Sequence, residues 1–196
     1  MKIGVLAIQG DFAEHITVLK RLGVDTAEVR LPQELDDLDG LIIPGGESTT
    51  IGKLAKDFDL IEPLRKFGAE KAIWGTCAGA IFLSKDAHRV KLGQPLLGLM
   101  DITIERNAFG RQVDSFEVAL DVPALSKVQK DNPPFSAVFI RAPLIESVDK
   151  PDVQVLATLD DGTIVAAQQG KLLVTSFHPE LTLDARFHRY FLSLAS

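Results

Sequence analysis

The stretch Gly75-Thr76-Cys77-Ala78-Gly79 constrains this chain more than any other. It sets the single cysteine between two glycines, directly after the apolar run Ala72-Ile73-Trp74 and directly before Ala80-Ile81-Phe82-Leu83. The first run predicts a short buried strand and the second the start of a helix. A strand-to-helix turn of the form G-x-nucleophile-x-G is an elbow that presents a reactive side chain at the edge of a sheet. Glycines suit such a turn because it demands backbone angles or close approaches that a Cβ opposes. At a helix N-terminus the free amides and the dipole favour an anion, so the thiol pKa is expected to fall and thiolate to accumulate. Read alone, the same cysteine is also compatible with a small buried hydrophobe.

Around the elbow, the first half alternates short apolar runs with helical patterns, which points to parallel βαβ units. Strands are expected over 3–8, 26–30 and 40–43. Asp11 is expected to cap the first helix with Glu14 as its capping-box partner, Phe12, Ile16 and Leu19 form the apolar stripe, and Gly23 stops it. A helical stretch over 50–67, broken near Asp59, leads back to the elbow strand. The second half alternates differently, over 102–105 and 115–120, as antiparallel or edge strands do. Further strands are expected over 137–140, 153–158, 163–168 and 172–177, with a last helix over 183–194. Residues 86–95 read as a loop and 121–134, with Pro133-Pro134, as a surface excursion. The expectation is one α/β domain over residues 1–196, with a mixed, mainly parallel sheet flanked by helices. A net charge of −6 argues against nucleic acid as a partner. One cysteine cannot form an internal disulfide, which suits a reducing, cytoplasmic setting. The N-terminal apolar run is too short for a signal peptide or membrane span, so no membrane partner is expected.

A thiolate nucleophile needs a proton shuttle. His178 lies in Ser176-Phe177-His178-Pro179-Glu180, just past an apolar strand, where loops at strand C-termini build sites in open α/β sheets. The two-residue spacing lets Glu180 accept from one imidazole nitrogen while the other faces Cys77, fixing the tautomer and stabilising the cation. His15 lies near the exit of the first strand, within reach of the site, but reads first as helix packing or surface. His88 falls in the polar loop, and His188 sits on the last helix beside Arg186 and Arg189. None has metal-ligand spacing with Cys77, so no metal or other cofactor is implied. Pro44-Gly45-Gly46-Glu47-Ser48-Thr49-Thr50 follows a strand but lacks the lysine of a phosphate-binding loop, and Glu47 disfavours an anion there. Its better use is an oxyanion hole, in which a Gly45 or Gly46 N–H joins that of Ala78.

With a P-G-G loop, a G-x-C-x-G elbow and an H-P-E in this order, the chain resembles the class I (triad) glutamine amidotransferases. The strings Glu105-Arg106-Asn107-Ala108-Phe109-Gly110-Arg111-Gln112-Val113-Asp114-Ser115-Phe116 and Phe139-Ile140-Arg141-Ala142-Pro143 make it similar, more narrowly, to the glutaminase subunits of pyridoxal 5'-phosphate synthases. The resemblance implies a flavodoxin-like sheet and hydrolysis of L-glutamine to glutamate and ammonia through a glutamyl thioester. It also implies a hetero-oligomeric complex, in which the ammonia passes to a synthase subunit that builds the vitamin B6 cofactor. By the same carry-over Cys77 is the nucleophile, His178 the general base and acid, and Glu180 its orienting carboxylate. Gly46, Glu47, Ser48, Arg106, Ile140 and Arg141 match the glutamine-binding positions. Either arginine suits the substrate α-carboxylate and Glu47 its α-ammonium. A triad glutaminase serving another ammonia-dependent synthase is the neighbouring alternative.

Overall fold

The computed structural model describes residues 1–106 and 115–196. The segment 107–114, which carries most of the longer of the two strings above, lies outside the described residues. The first half forms β1 (Lys2–Leu6), α1 (Phe12–Arg21), β2 (Asp25–Val29), β3 (Gly40–Ile43), α2 (Ser48–Asp57), α3 (Ile61–Glu70), β4 (Ala72–Thr76) and α4 (Ala78–Leu83). The second half forms β5 (Ser84–His88), β6 (Met100–Glu105), β7 (Ser115–Leu120), β8 (Phe135–Ile140), β9 (Leu144–Val148), β10 (Val153–Thr158), β11 (Ile164–Gln169), β12 (Leu172–Thr175) and α5 (Arg186–Ala195).

The main sheet runs β2-β1-β3-β4-β12-β11-β9-β6-β5, with β10 also paired to β11, while β7 and β8 form a separate antiparallel ribbon. The five strands from β2 to β12 are mutually parallel, and β11 then pairs antiparallel to β12. Period-two alternation divides the core. Ile3, Val5, Ile42, Trp74 and Leu173 face the side where α1 brings Ile16 and Leu19, α5 brings Phe187 and Phe191, and the ribbon brings Phe135 and Phe139. Leu41, Ile43, Ile73 and Val174 face the other side, against Ile51, Ala55, Leu64 and Phe82 of α2, α3 and α4. The expected break near Asp59 is a left-handed residue (φ 55°) that ends α2 before α3 begins.

Three local readings need correction. Asp11 occupies the N-cap position of α1, but its side chain makes no cap hydrogen bond; its carboxylate is directed to His178, 3.7 Å away. Residues 84–88 form β5 rather than loop, and His88 on it pairs with Glu146 at 2.7 Å. This edge strand carries Lys85, Asp86 and His88 outward, so it lacks the apolar alternation that advertises a strand. The strand β9 is an addition to the expected set, hidden because Pro143 interrupts the apolar run before it. Residues 121–134 run over the surface as expected, but they are anchored to the body of the domain. Val122 and Leu125 are buried, and the buried Arg186 guanidinium donates to Asn132 Oδ1 and Pro133 O, both at 2.7 Å. No helix among the described residues is long and apolar enough to cross a membrane.

Candidate active site

Because β1, β3, β4 and β12 are neighbours in one parallel array, the loops leaving their C-terminal ends converge. These loops carry Gln9-Gly10-Asp11, Gly45-Gly46-Glu47, Cys77, and His178 with Glu180. Cys77 sits at φ 49°, ψ −107°, outside the regions an L-residue prefers. Its N–H is tied to Thr175 O at 2.8 Å across to β12. The flanking glycines have a steric cause. A Cβ on Gly75 would stand 2.5 Å from Gly79 O, and one on Gly79 would stand 2.0 Å from Ile43 O. A Cβ on Gly45 would lie 2.5 Å from His178 Cε1, so the bare Gly45 backbone forms the wall against which the imidazole packs.

Glu180 Oε1 accepts from His178 Nδ1 at 2.6 Å, and both side chains are buried. Burial alone would lower the His178 pKa. The hydrogen bonds to Cys77 and Glu180, with the charges behind them, overrule burial and push it up to about 10. Burial raises the Glu180 carboxyl above its usual range, and the imidazole beside it pulls the other way. Burial likewise raises Asp11, against the pull of His178. Asp11, His178 and Glu180 bring possible ligand atoms within 4.8 Å of one another. Within this set His178 Nδ1 and Glu180 Oε1 already satisfy each other.

Cys77, Ala78 and His178 open into a cavity of about 420 Å³ whose other walls include Gly46, Glu47, Ser48, Arg106, Ile140 and Arg141. Every residue expected to bind substrate therefore lines one space. A larger groove of about 790 Å³ beside α3 carries neither cysteine nor histidine. Ile140 O lies 3.9 Å from Cys77 Sγ. Gly45 O accepts from Asp11 N–H at 3.0 Å, and Glu47 N–H donates to Gln9 Oε1 at 2.8 Å. Gln9 is thus a site residue absent from the expected set, since no local pattern marks it.

Glu47 has a structural duty besides. Its carboxylate caps α2, accepting from Thr49 and Thr50 N–H, and pairs with Arg106 at 2.9 Å. Burial would raise its pKa, but the bonds from Thr50 and Thr49 prevail and hold it at about 2. A depressed carboxylate pKa stabilises the fold above its ordinary value of 4.5 and loses that effect as pH falls through about 2. Glu47→Ala should cost about 1 kcal/mol at neutral pH, as loss of a cap does. The melting-temperature gap between wild type and variant should close as pH drops from 4.5 toward 2; a gap independent of pH would overturn this.

The model for the SNO glutamine amidotransferase family matches residues 5–195. The chain belongs to this family. It is 61% identical to "Pyridoxal 5'-phosphate synthase subunit PdxT" of Herpetosiphon aurantiacus, with 99% of this chain and 100% of that protein covered. It is 53% identical to the protein of the same name from Chloroflexus aggregans, over the same shares of the two chains. A crystal structure described as a glutamine amidotransferase superposes with a TM-score of 0.90 at 51% identity, covering 98% of each chain. Family membership and the curled, mostly parallel sheet with flanking helices thus agree with the family and the fold class expected from the sequence.

Proposed function

We propose that this chain is the glutaminase subunit of a pyridoxal 5'-phosphate synthase, hydrolysing L-glutamine and passing the ammonia to a synthase subunit in a shared complex. The observation that carries the chemistry is the line Glu180–His178–Cys77 at the wall of the Arg106- and Arg141-lined cavity. The assignment of the pathway rests on the full-length relatives.

In this reading the resting pair is a Cys77 thiolate beside a His178 imidazolium. The thiolate attacks the side-chain amide carbon of glutamine, and amides at the Gly45-Gly46 turn and Ala78 steady the oxyanion. His178 gives its proton to the leaving nitrogen, and ammonia departs as the γ-glutamyl thioester forms. His178, now neutral, takes a proton from water as that water attacks the thioester. The new tetrahedral centre collapses to glutamate and thiolate, and the imidazolium is restored. Glu180 accepts from Nδ1–H throughout and keeps Nε2 aimed at the chemistry. The Arg106 and Arg141 guanidinium groups pair the substrate α-carboxylate, and Glu47 receives its α-ammonium.

The test is ammonia release from L-glutamine by the chain alone and with a pyridoxal 5'-phosphate synthase subunit added. Release that rises on addition is the expected result. Release indifferent to that subunit would overturn the pathway, and no release with the thiol shown reduced would overturn the glutaminase reading. A glutamine-like chloroketone should label Cys77, and saturating glutamine should protect it.

A further inference from the structure

The triad does not end at Glu180. Its Oε2 is fully buried and has no aligned hydrogen-bond donor among the described residues, yet His15 Nε2 of α1 lies 3.3 Å from it. The same Nε2 is 3.2 Å from Thr76 Oγ1, one residue before the nucleophile. His15 Nδ1 is 3.0 Å from Nε2 of His188 on α5, and His188 Nδ1 is buried without a partner among the described residues. Neither imidazole has any exposed surface. Trp74 stands edge-on to both, with ring centroids 5.6 Å from His15 and 4.9 Å from His188. Two helices and the elbow strand thus enclose a row of polar atoms directly behind the catalytic carboxylate.

Only one arrangement of protons suits this row. A neutral imidazole carries one N–H. If His188 holds its proton on Nε2, it donates to His15 Nδ1; His15 then carries its proton on Nε2, facing Thr76 Oγ1 and Glu180 Oε2. What remains unpaired is a bare lone pair on His188 Nδ1. In the opposite arrangement His15 Nε2 accepts from the Thr76 hydroxyl at 3.2 Å but turns the same lone pair toward a carboxylate, and a buried N–H on His188 Nδ1 has no acceptor among the described residues. A buried unpaired donor and facing lone pairs are both unfavourable, so the first arrangement prevails. Burial, with His188 and His178 close by, holds His15 well below its ordinary pKa; burial, with Arg21 near, holds His188 at about 3. Both rings are therefore neutral, as the row requires.

We propose that His15, its tautomer set by His188, is a positioning residue that holds the outer oxygen of Glu180 through Nε2–H and so fixes the carboxylate behind His178. The proposal rests on the triad reading above. The titratable and charged groups facing the row are His178, Glu180, Asp11 and Arg21, with Cys77 beyond His178. Without the donor, the buried Glu180 charge is held from one side only. It then drifts from Nδ1 and supports the imidazolium less well.

The test uses the full-length chain with three readouts. His15→Phe keeps a ring and removes the donor, whereas His15→Gln places an amide nitrogen close to the former Nε2. For His15→Phe, kcat for ammonia release should fall by ~10–100-fold with KM unchanged, the scale of a slightly misplaced catalytic group. The alkaline limb of its alkylation by iodoacetamide, which follows His178 at about 10 in the wild type, should move to lower pH. His15→Gln should recover most of both. In histidine-¹⁵N-labelled wild type, His15 should be a neutral ring protonated at Nε2. Equal impairment of the two variants would mean packing alone and overturn the proposal, as would an unimpaired His15→Phe or a ring protonated at Nδ1. The labelled wild type keeps the proposal testable if His15→Phe does not fold. A wild type that releases no ammonia would overturn the glutaminase reading instead, while the alkylation profile and the tautomer still report on His15.

Discussion

Replacement of Cys77 by alanine is expected to cut ammonia release from glutamine by at least ~10⁴-fold, since the covalent route disappears and only binding and oxyanion contacts remain. The fold should survive. Alanine keeps the Cβ that already occupies the φ 49° conformation, and the Cys77 N–H bond to Thr175 O involves backbone alone. The cavity and its lining side chains are unchanged, so glutamine binding should persist. The assay is ammonia release over hours at saturating glutamine, beside a thermal melt. Retention of more than ~1% of wild-type turnover by a well-folded variant would remove Cys77 from the nucleophile's role.

What is legible in the sequence follows from how each feature is encoded. The elbow and the P-G-G turn are readable because backbone sterics demand glycine there, and the H-P-E because a histidine and a carboxylate closely follow a buried apolar strand. A Cβ at Gly79 has no room beside Ile43 O, and one at Gly45 has none beside the His178 ring. Strands β3, β7 and β10 show their ends because apolar or alternating runs stop at polar or turn residues. The edge strand β5 does not, since outward Lys85, Asp86 and His88 carry no alternation. The His15–His188 row is hidden for another reason. A polar residue on an amphipathic helix reads as surface, and only tertiary packing brings 15 and 188 within 3.0 Å of each other. Asp11 fails as a cap because His178, far later in the chain, competes for its carboxylate. Local pattern encodes turns and periodicity; long-range pairing of polar groups is written nowhere in a single window.

Glu180→Gln should lower kcat by ~10³–10⁴-fold, the scale seen when the carboxylate of a triad becomes an amide. The variant is nearly isosteric, so the buried site stays filled, and His178 can answer the loss of its charged partner by giving up its proton. The damage lies in the tautomer. With His15 donating to the outer oxygen, the carbonyl of the introduced amide is taken on that side and its N–H groups face His178 Nδ1. His178 must then accept at Nδ1 and carry its proton on Nε2, where it cannot take another from Cys77. The pH dependence sharpens the test. Burial lowers the His178 pKa, yet the bonds to Cys77 and Glu180 raise it to about 10. The stabilisation of its cation is therefore complete below the ordinary value of 6.5 and lost as pH rises through about 10. Removing the carboxylate takes away one of those bonds, so the alkaline limb of Cys77 alkylation should move to lower pH in the variant. A kcat within ~10-fold of wild type, with that limb unmoved, would take Glu180 out of the catalytic line. A low kcat with the limb unmoved would show that the carboxylate sets ring orientation without stabilising the charge.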